Sequence, residues 1–268
     1  MRYILPFLFS LSLVPHISYA QDNSGLKRLT LRSDLLGFEA IGRLDMPGGY
    51  CTGVLIARDL VLTAAHCLSD AVKNGSLDGM QFRAGLRDGK HVAASAAKLA
   101  VMHPSYDDPS NSRFDQVAKD VGLVVLEDPI STGVAAPFAV QQLQPGQDAL
   151  SVVSYASGRD EALSRQAECS VVVRNAELVV FDCNVTFGSS GAPVFDTSGR
   201  RPRIVSLVSG GMIFDGEKVA IGMHLPARLA EVKQALRAGR GVVGGTEVKS
   251  RQIGIGERNN TGARFVKP

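Results

Sequence analysis

Apolar residues in this chain come in short runs broken by Gly, Asp, Asn and Pro. Runs of that length with such punctuation predict strands of an all-β barrel or sandwich. A first set is expected at 38–45, 50–57, 60–65, 80–86, 91–102 and 121–127. A second is expected at 149–156, 169–174, 178–183, 192–196, 203–210 and 219–225. Between them, 128–137 is rich in Pro, Gly, Ser and Ala and reads as a connection. The two sets hold roughly six strands each, as in barrel folds, and share no sequence repeat. One helix is expected, at 226–239. Pro226 opens it, Leu229, Val232 and Leu236 share a face, and Gly239 and Gly241 stop it.

The first twenty residues have the pattern of a processing segment: Arg2, an apolar stretch from Ile4 to Val14, then Ser18-Tyr19-Ala20. A membrane-crossing helix needs ~20 apolar residues. This run is shorter, and Pro15 and His16 break it. The expectation is an exported chain, periplasmic or extracellular, beginning near Gln21. The expected divisions are a leader at 1–20, a first β-barrel with its lead-in at 21–136, a second barrel at 137–225, the helix at 226–239 and a flexible basic tail at 240–268.

Charge sharpens this division. The formal net charge of +3 is concentrated in the tail, where Arg240, Lys249, Arg251, Arg258, Arg264 and Lys267 face only Glu247 and Glu257. The body is therefore slightly acidic and carries no footprint for nucleic acid.

Four cysteines lie beyond the leader: Cys51, Cys67, Cys169 and Cys183. An even number in an exported protein points to disulfides. Three pairings are possible. The sequence-local one, Cys51 with Cys67 and Cys169 with Cys183, closes two short segments, each closure contributing ~3 kcal/mol. No Cys-x-x-Cys or His-x-x-x-His spacing supports a zinc site, so no metal and no cofactor is expected.

Three strings carry the candidate chemistry. Thr63-Ala64-Ala65-His66-Cys67 sets a histidine at a strand end, where a neutral imidazole can take a proton. Asp120-Val121-Gly122-Leu123 sets a carboxylate before an apolar strand, placed to orient that imidazole. Gly188-Ser189-Ser190-Gly191-Ala192-Pro193 sets a serine among glycines, where the backbone can approach a substrate carbonyl. Ser190 fits its flanking glycines better than Ser189 does. The N–H groups of Gly188 and Ser190 are the candidate oxyanion donors.

These strings resemble those of trypsin-like (chymotrypsin-fold) serine endopeptidases of the bacterial secreted kind. The resemblance covers roughly Phe38 to Gly239 and implies two six-stranded antiparallel β-barrels with the site in the cleft between them, plus a C-terminal helix. It implies that Cys51–Cys67 is the disulfide beside the catalytic histidine. It also implies peptide-bond hydrolysis with catalytic residues His66, Asp120 and Ser190, on a protein or peptide substrate, by a monomer with no membrane span.

Departures from the family pattern are informative. Ser189 stands where digestive members carry an Asp that pairs with a new N-terminus, so activation through such an ion pair is not expected. The primary pocket is expected around Asn184, Ser206 and Val208. Asn184 is neutral and Val208 would narrow the pocket, so a small or neutral residue is expected before the cleaved bond. His224 is a further candidate for that pocket, with a satisfied strand histidine as its ordinary reading. Two other functions compete. One is a catalytically silent binding protein on the same scaffold, which the intact His66, Asp120 and Ser190 disfavour. The other is an α/β-hydrolase esterase, which the order His-Asp-Ser and the lack of alternating helices disfavour.

Overall fold

The computed structural model describes residues 25–107 and 109–245. The expected leader at 1–20 and the tail beyond 245 lie outside the described residues.

Every expected strand is present, at slightly different bounds. The strands are β1 (Leu26–Arg28), β2 (Ile41–Met46), β3 (Gly49–Ala57), β4 (Leu60–Thr63), β5 (Gln81–Ala84), β6 (Ala93–Met102), β7 (Gly122–Leu126) and β8 (Leu150–Ser154). They continue as β9 (Ser164–Cys169), β10 (Val171–Arg174), β11 (Leu178–Phe181), β12 (Pro193–Asp196), β13 (Arg203–Leu207), β14 (Gly210–Phe214), β15 (Glu217–Met223) and β16 (Val242–Gly244). Three helices join them: α1 (Ser69–Asn74), α2 (Arg113–Ala118) and α3 (Leu225–Arg237).

Strands β2 to β7 run in the order β6-β5-β2-β3-β4-β7, and antiparallel pairing of β6 with β7 closes them into a six-stranded barrel. The second half is built from two ladders, β9-β8-β12-β13 and β10-β11-β15-β14. The Cys169–Cys183 bond ties the end of β9 to the segment after β11. Ser206 Oγ on β13 donates to the carbonyl of Met223 on β15 at 2.7 Å, which draws the two ladders together. The architecture is chymotrypsin-like.

One apolar cluster fills the first barrel and runs on beneath α3, from Ile41, Leu55 and Phe82 to Leu229 and Val232. A second fills the other half around Val152, Phe181, Val194 and Val205. A third lies under α2, against Leu178, Val180, Val219 and Ile221. The α3 helix has a Pro in its first turn, as expected, and starts one residue early. Buried His103 meets Glu231 of α3 through Nε2 and fastens the helix to the first barrel.

The connection at 128–137 carries no strand or helix but is pinned. Ile130 N–H donates to Arg58 O at 2.8 Å, and Phe138 N–H to Leu55 O at 2.9 Å. The domain expectation needs two corrections at its ends. The lead-in strand β1 pairs with β9 of the second half, and β16, expected within a free tail, pairs with Leu99–Val101 of β6. Both are edge additions that satisfy backbone groups left open by neighbouring strands. No helix among the described residues is long and apolar enough to cross a membrane.

Candidate active site

The end of β4 delivers His66, and the Cys51–Cys67 disulfide ties the next residue to β3. The start of β7 delivers Asp120, whose residue is 2% exposed. The two residues are in direct contact. Asp120 Oδ1 accepts the backbone N–H of His66 at 2.9 Å, and Oδ2 lies 2.8 Å from His66 Nδ1. Because the carboxylate accepts there, the ring donates from Nδ1 and keeps its lone pair on Nε2. Burial pushes the His66 imidazole down, but the hydrogen bond and charge of Asp120 outweigh it, and the net shift is upward.

A third donor reaches the same carboxylate. Ser209 Oγ donates to Asp120 Oδ2 at 2.5 Å. From the sequence, Ser209 belongs to the strand expected at 203–210, with nothing that sets it apart from its neighbours. The contact spans 89 residues, so no local pattern announces it.

Ser190 sits half-buried in the turn before β12, while its rival Ser189 is wholly buried with its hydroxyl 3.2 Å from that of Ser154. The turn is laced to the first barrel by Thr52. Its N–H donates to Ser190 O at 2.9 Å, and its hydroxyl to Gly188 O at 2.9 Å. Thr52 O in turn accepts the Thr63 hydroxyl at 2.9 Å, three residues before His66. Ser190 is thereby held against the strand that carries His66. Among the described residues the Ser190 hydroxyl makes no hydrogen bond to His66, which is ordinary for an unliganded site.

Gly188 and Gly191 flank this serine with φ of +89° and +75°. A methyl on Gly188 would run into the Tyr50 ring, and one on Gly191 would run into the backbone of Thr52 and Ala64. The N–H groups of Gly188 and Ser190 have no acceptor among the described residues, and both belong to the turn that presents Ser190.

A cleft of about 270 Å³ runs from His66 and Asp120 past Tyr106 and Phe114 to Ser209 and Met212. The expected pocket residues are placed differently. Ser206 is fully buried and braces β15, and Val208 is 1% exposed within the core of the second half. Both lie in the interior, because the chain from Ile204 to Val208 is buried on both faces. Asn184 is exposed, with its N–H on Gln166 Oε1 at 2.7 Å. The strand bordering the cleft carries Gly210 and Gly211, so Val208 does not narrow it. His224 follows β15 at the start of α3, outside any strand, with its Nε2 on Asn175 O at 2.9 Å and no side-chain cap bond to the helix.

Fold and site together define a two-lobed β protein with a carboxylate-held imidazole after β4 and a glycine-flanked serine in a turn laced to the neighbouring strand β3. Residues 51–201 match the model of the trypsin-like peptidase domain, more than half the chain, and the chain belongs to that family. Among curated relatives, snake venom serine protease KN8 of Trimeresurus stejnegeri is 29% identical over 137 residues, 51% of this chain and 50% of that protein. A second venom protease from the same snake, KN10, is 28% identical over the same length. The chain thus spans about half the length of the curated relatives it matches. Among solved structures, a Glu endopeptidase aligns with a TM-score of 0.65 at 15% identity, covering 80% of this chain and 97% of that one. A thermostable serine protease from an extremophilic microorganism aligns with a TM-score of 0.57 at 20% identity, covering 74% and 97%. At these identities the structural likeness speaks to the fold.

Proposed function

We propose that the chain is an exported serine endopeptidase that hydrolyses peptide bonds through an acyl-enzyme on Ser190. The observation that carries this reading is the grip of Asp120 on both the backbone and Nδ1 of His66, which leaves Nε2 as the base. Ser190 Oγ attacks the carbonyl carbon as its proton passes to His66 Nε2. The oxyanion that forms is met by the N–H groups of Gly188 and Ser190, each such donor worth ~3–4 kcal/mol in the transition state. His66 returns the proton to the departing amine, and water then repeats the sequence on the acyl-enzyme. The leader pattern and two disulfides support export to the periplasm or beyond the cell.

A fluorophosphonate probe tests the nucleophile. Wild-type protein processed near Gln21 should label stoichiometrically, and Ser190→Ala should not label at all. Labelling that persists in Ser190→Ala would sink the assignment. A wild-type protein that neither labels nor cleaves a broad peptide library would be a silent binding protein instead.

The upward shift at His66 sets an acid limb. The base works only as neutral imidazole, so raising its pKa moves the loss of activity to higher pH. We expect kcat/KM on an uncharged peptide to fall as pH drops through a midpoint above the ordinary imidazole value of 6.5. A midpoint below 6.5 would contradict the dominance of Asp120 over burial at this ring.

A further inference from the structure

We infer that the enzyme selects an acidic side chain at the residue whose carbonyl is cleaved, and that Lys218 reads that carboxylate. The inference rests on the peptidase reading above and gives it a substrate class. A cavity of about 290 Å³ lies between the segment leading to Ser190 and the β14–β15 hairpin. It shares Gly211 and Met212 with the cleft that holds His66 and Asp120, so a side chain of a peptide lying in that cleft has this cavity beside it. Cys183, Val185 and Thr186 form one wall; Gly211, Met212, Ile213, Lys218 and Val219 form the other.

Strand geometry decides which groups face the cavity. Successive residues on a strand point to opposite faces. On β15, Val219 and Ile221 pack under α2 with Leu178 and Val180, so Lys218 and Ala220 face the other way. Ala220 there packs with Cys183, where the opposite wall begins. On β14, Met212 and Phe214 take the α2 side, which leaves Gly211 and Ile213 with Lys218. Ile213 and Lys218 are direct partners in register. Glu217 points away by the same alternation.

The chemistry of the lining is one-sided. Lys218 is its only charged residue, and among the described residues no carboxylate pairs with it. The walls otherwise offer apolar surface and the Thr186 hydroxyl. Such a sleeve gives a carboxylate one charged and one neutral donor, and gives a cation only repulsion.

The test compares peptides that differ only before the cleaved bond, carrying Glu, Gln or Lys, with wild type, Lys218→Gln and Lys218→Glu. In low salt the wild type should prefer Glu over Gln in kcat/KM by about tenfold, the scale of a partly exposed charge-assisted contact. Rising ionic strength should shrink that ratio. Lys218→Gln should lose the preference, and Lys218→Glu should turn it toward Lys. Fluorophosphonate labelling of Ser190 should be unchanged in both variants. Equal cleavage of the Glu and Gln peptides with labelling intact overturns the inference alone, as does a Glu preference that survives in Lys218→Gln. A wild type that fails to label overturns the peptidase reading and this inference with it.

Discussion

Asp120→Asn is expected to lower kcat on a peptide about 10,000-fold while leaving the folded protein intact, the scale such a change has in triads of this kind. The carboxylate accepts from three donors: the His66 backbone, His66 Nδ1 and the Ser209 hydroxyl. An asparagine can keep the shape but offers one oxygen. If that oxygen takes Nδ1–H, the amide N–H₂ confronts the backbone N–H of His66. If it turns the other way, the amide donates to Nδ1 and the ring must carry its proton on Nε2. That tautomer has no lone pair for Ser190, and the base is lost. Ser190→Ala should cost more, about a million-fold, and adding Asp120→Asn to it should change little, because the groups act as a unit. Single-turnover kinetics on the four proteins, with thermal unfolding as the control for folding, check the set. An Asp120→Asn enzyme within tenfold of wild type would remove Asp120 from the mechanism.

Gly191→Ala is expected to be the most destabilising single change at the site, at about 4 kcal/mol or more, in the range reached when backbone strain and overlap combine. Gly191 has a φ of +75°, and its N–H donates to Val208 O at 2.8 Å. The added methyl would meet the Thr52 carbonyl and the backbone of Ala64. Backbone cannot swing aside as a long side chain can. Relief requires pulling the Ser190 turn off β3, which breaks the Thr52 to Ser190 hydrogen bond at 2.9 Å. Stability and activity should therefore fall together. A drop in Tm of about 8 °C or more is expected for a chain of this size. A variant with wild-type Tm would show that the two halves slide apart more easily than their contacts imply.

The sequence announced the parts of this molecule that depend on local pattern. Twelve strands followed from runs of apolar residues, and α3 from Pro226 and its spaced leucines and valine. The histidine, aspartate and serine were readable because each sits in a distinctive string. Weaker local cues are present as well. The Phe214-Asp215-Gly216-Glu217 turn, with positive φ at Asp215 and Gly216, is a two-residue hairpin signal, and it defines β14. The Ser112 to Asp115 capping box marks the start of α2. β9 escaped because its sequence, Ser-Arg-Gln-Ala-Glu-Cys, has no apolar alternation. Contacts made by folding over long separations left no trace at all. Thr52 holding the serine turn, Ser209 on Asp120 and Tyr50 against Gly188 are of that kind. The burial of the expected pocket residues is hidden for a related reason. Position relative to the serine does not reveal that this stretch is buried on both faces, and Ser206 and Val208 lie in the core.

The crossing of β1 and β16 bears on the order in which the protein can be made. A chain synthesised from its N-terminus can close the first barrel once β7 has emerged. β1 emerges before all the other described strands, yet it waits for β9 to give it a partner. β16 emerges last of them, and only then is the flank of β6 covered. The first barrel can therefore close early, but the outer edge of β9 and the flank of β6 are covered only by segments from the two ends of the described chain. Until residues 186–212 have emerged, the cleft has no second wall, and the nascent chain carries the histidine and aspartate without the serine turn or the Ser209 hydroxyl.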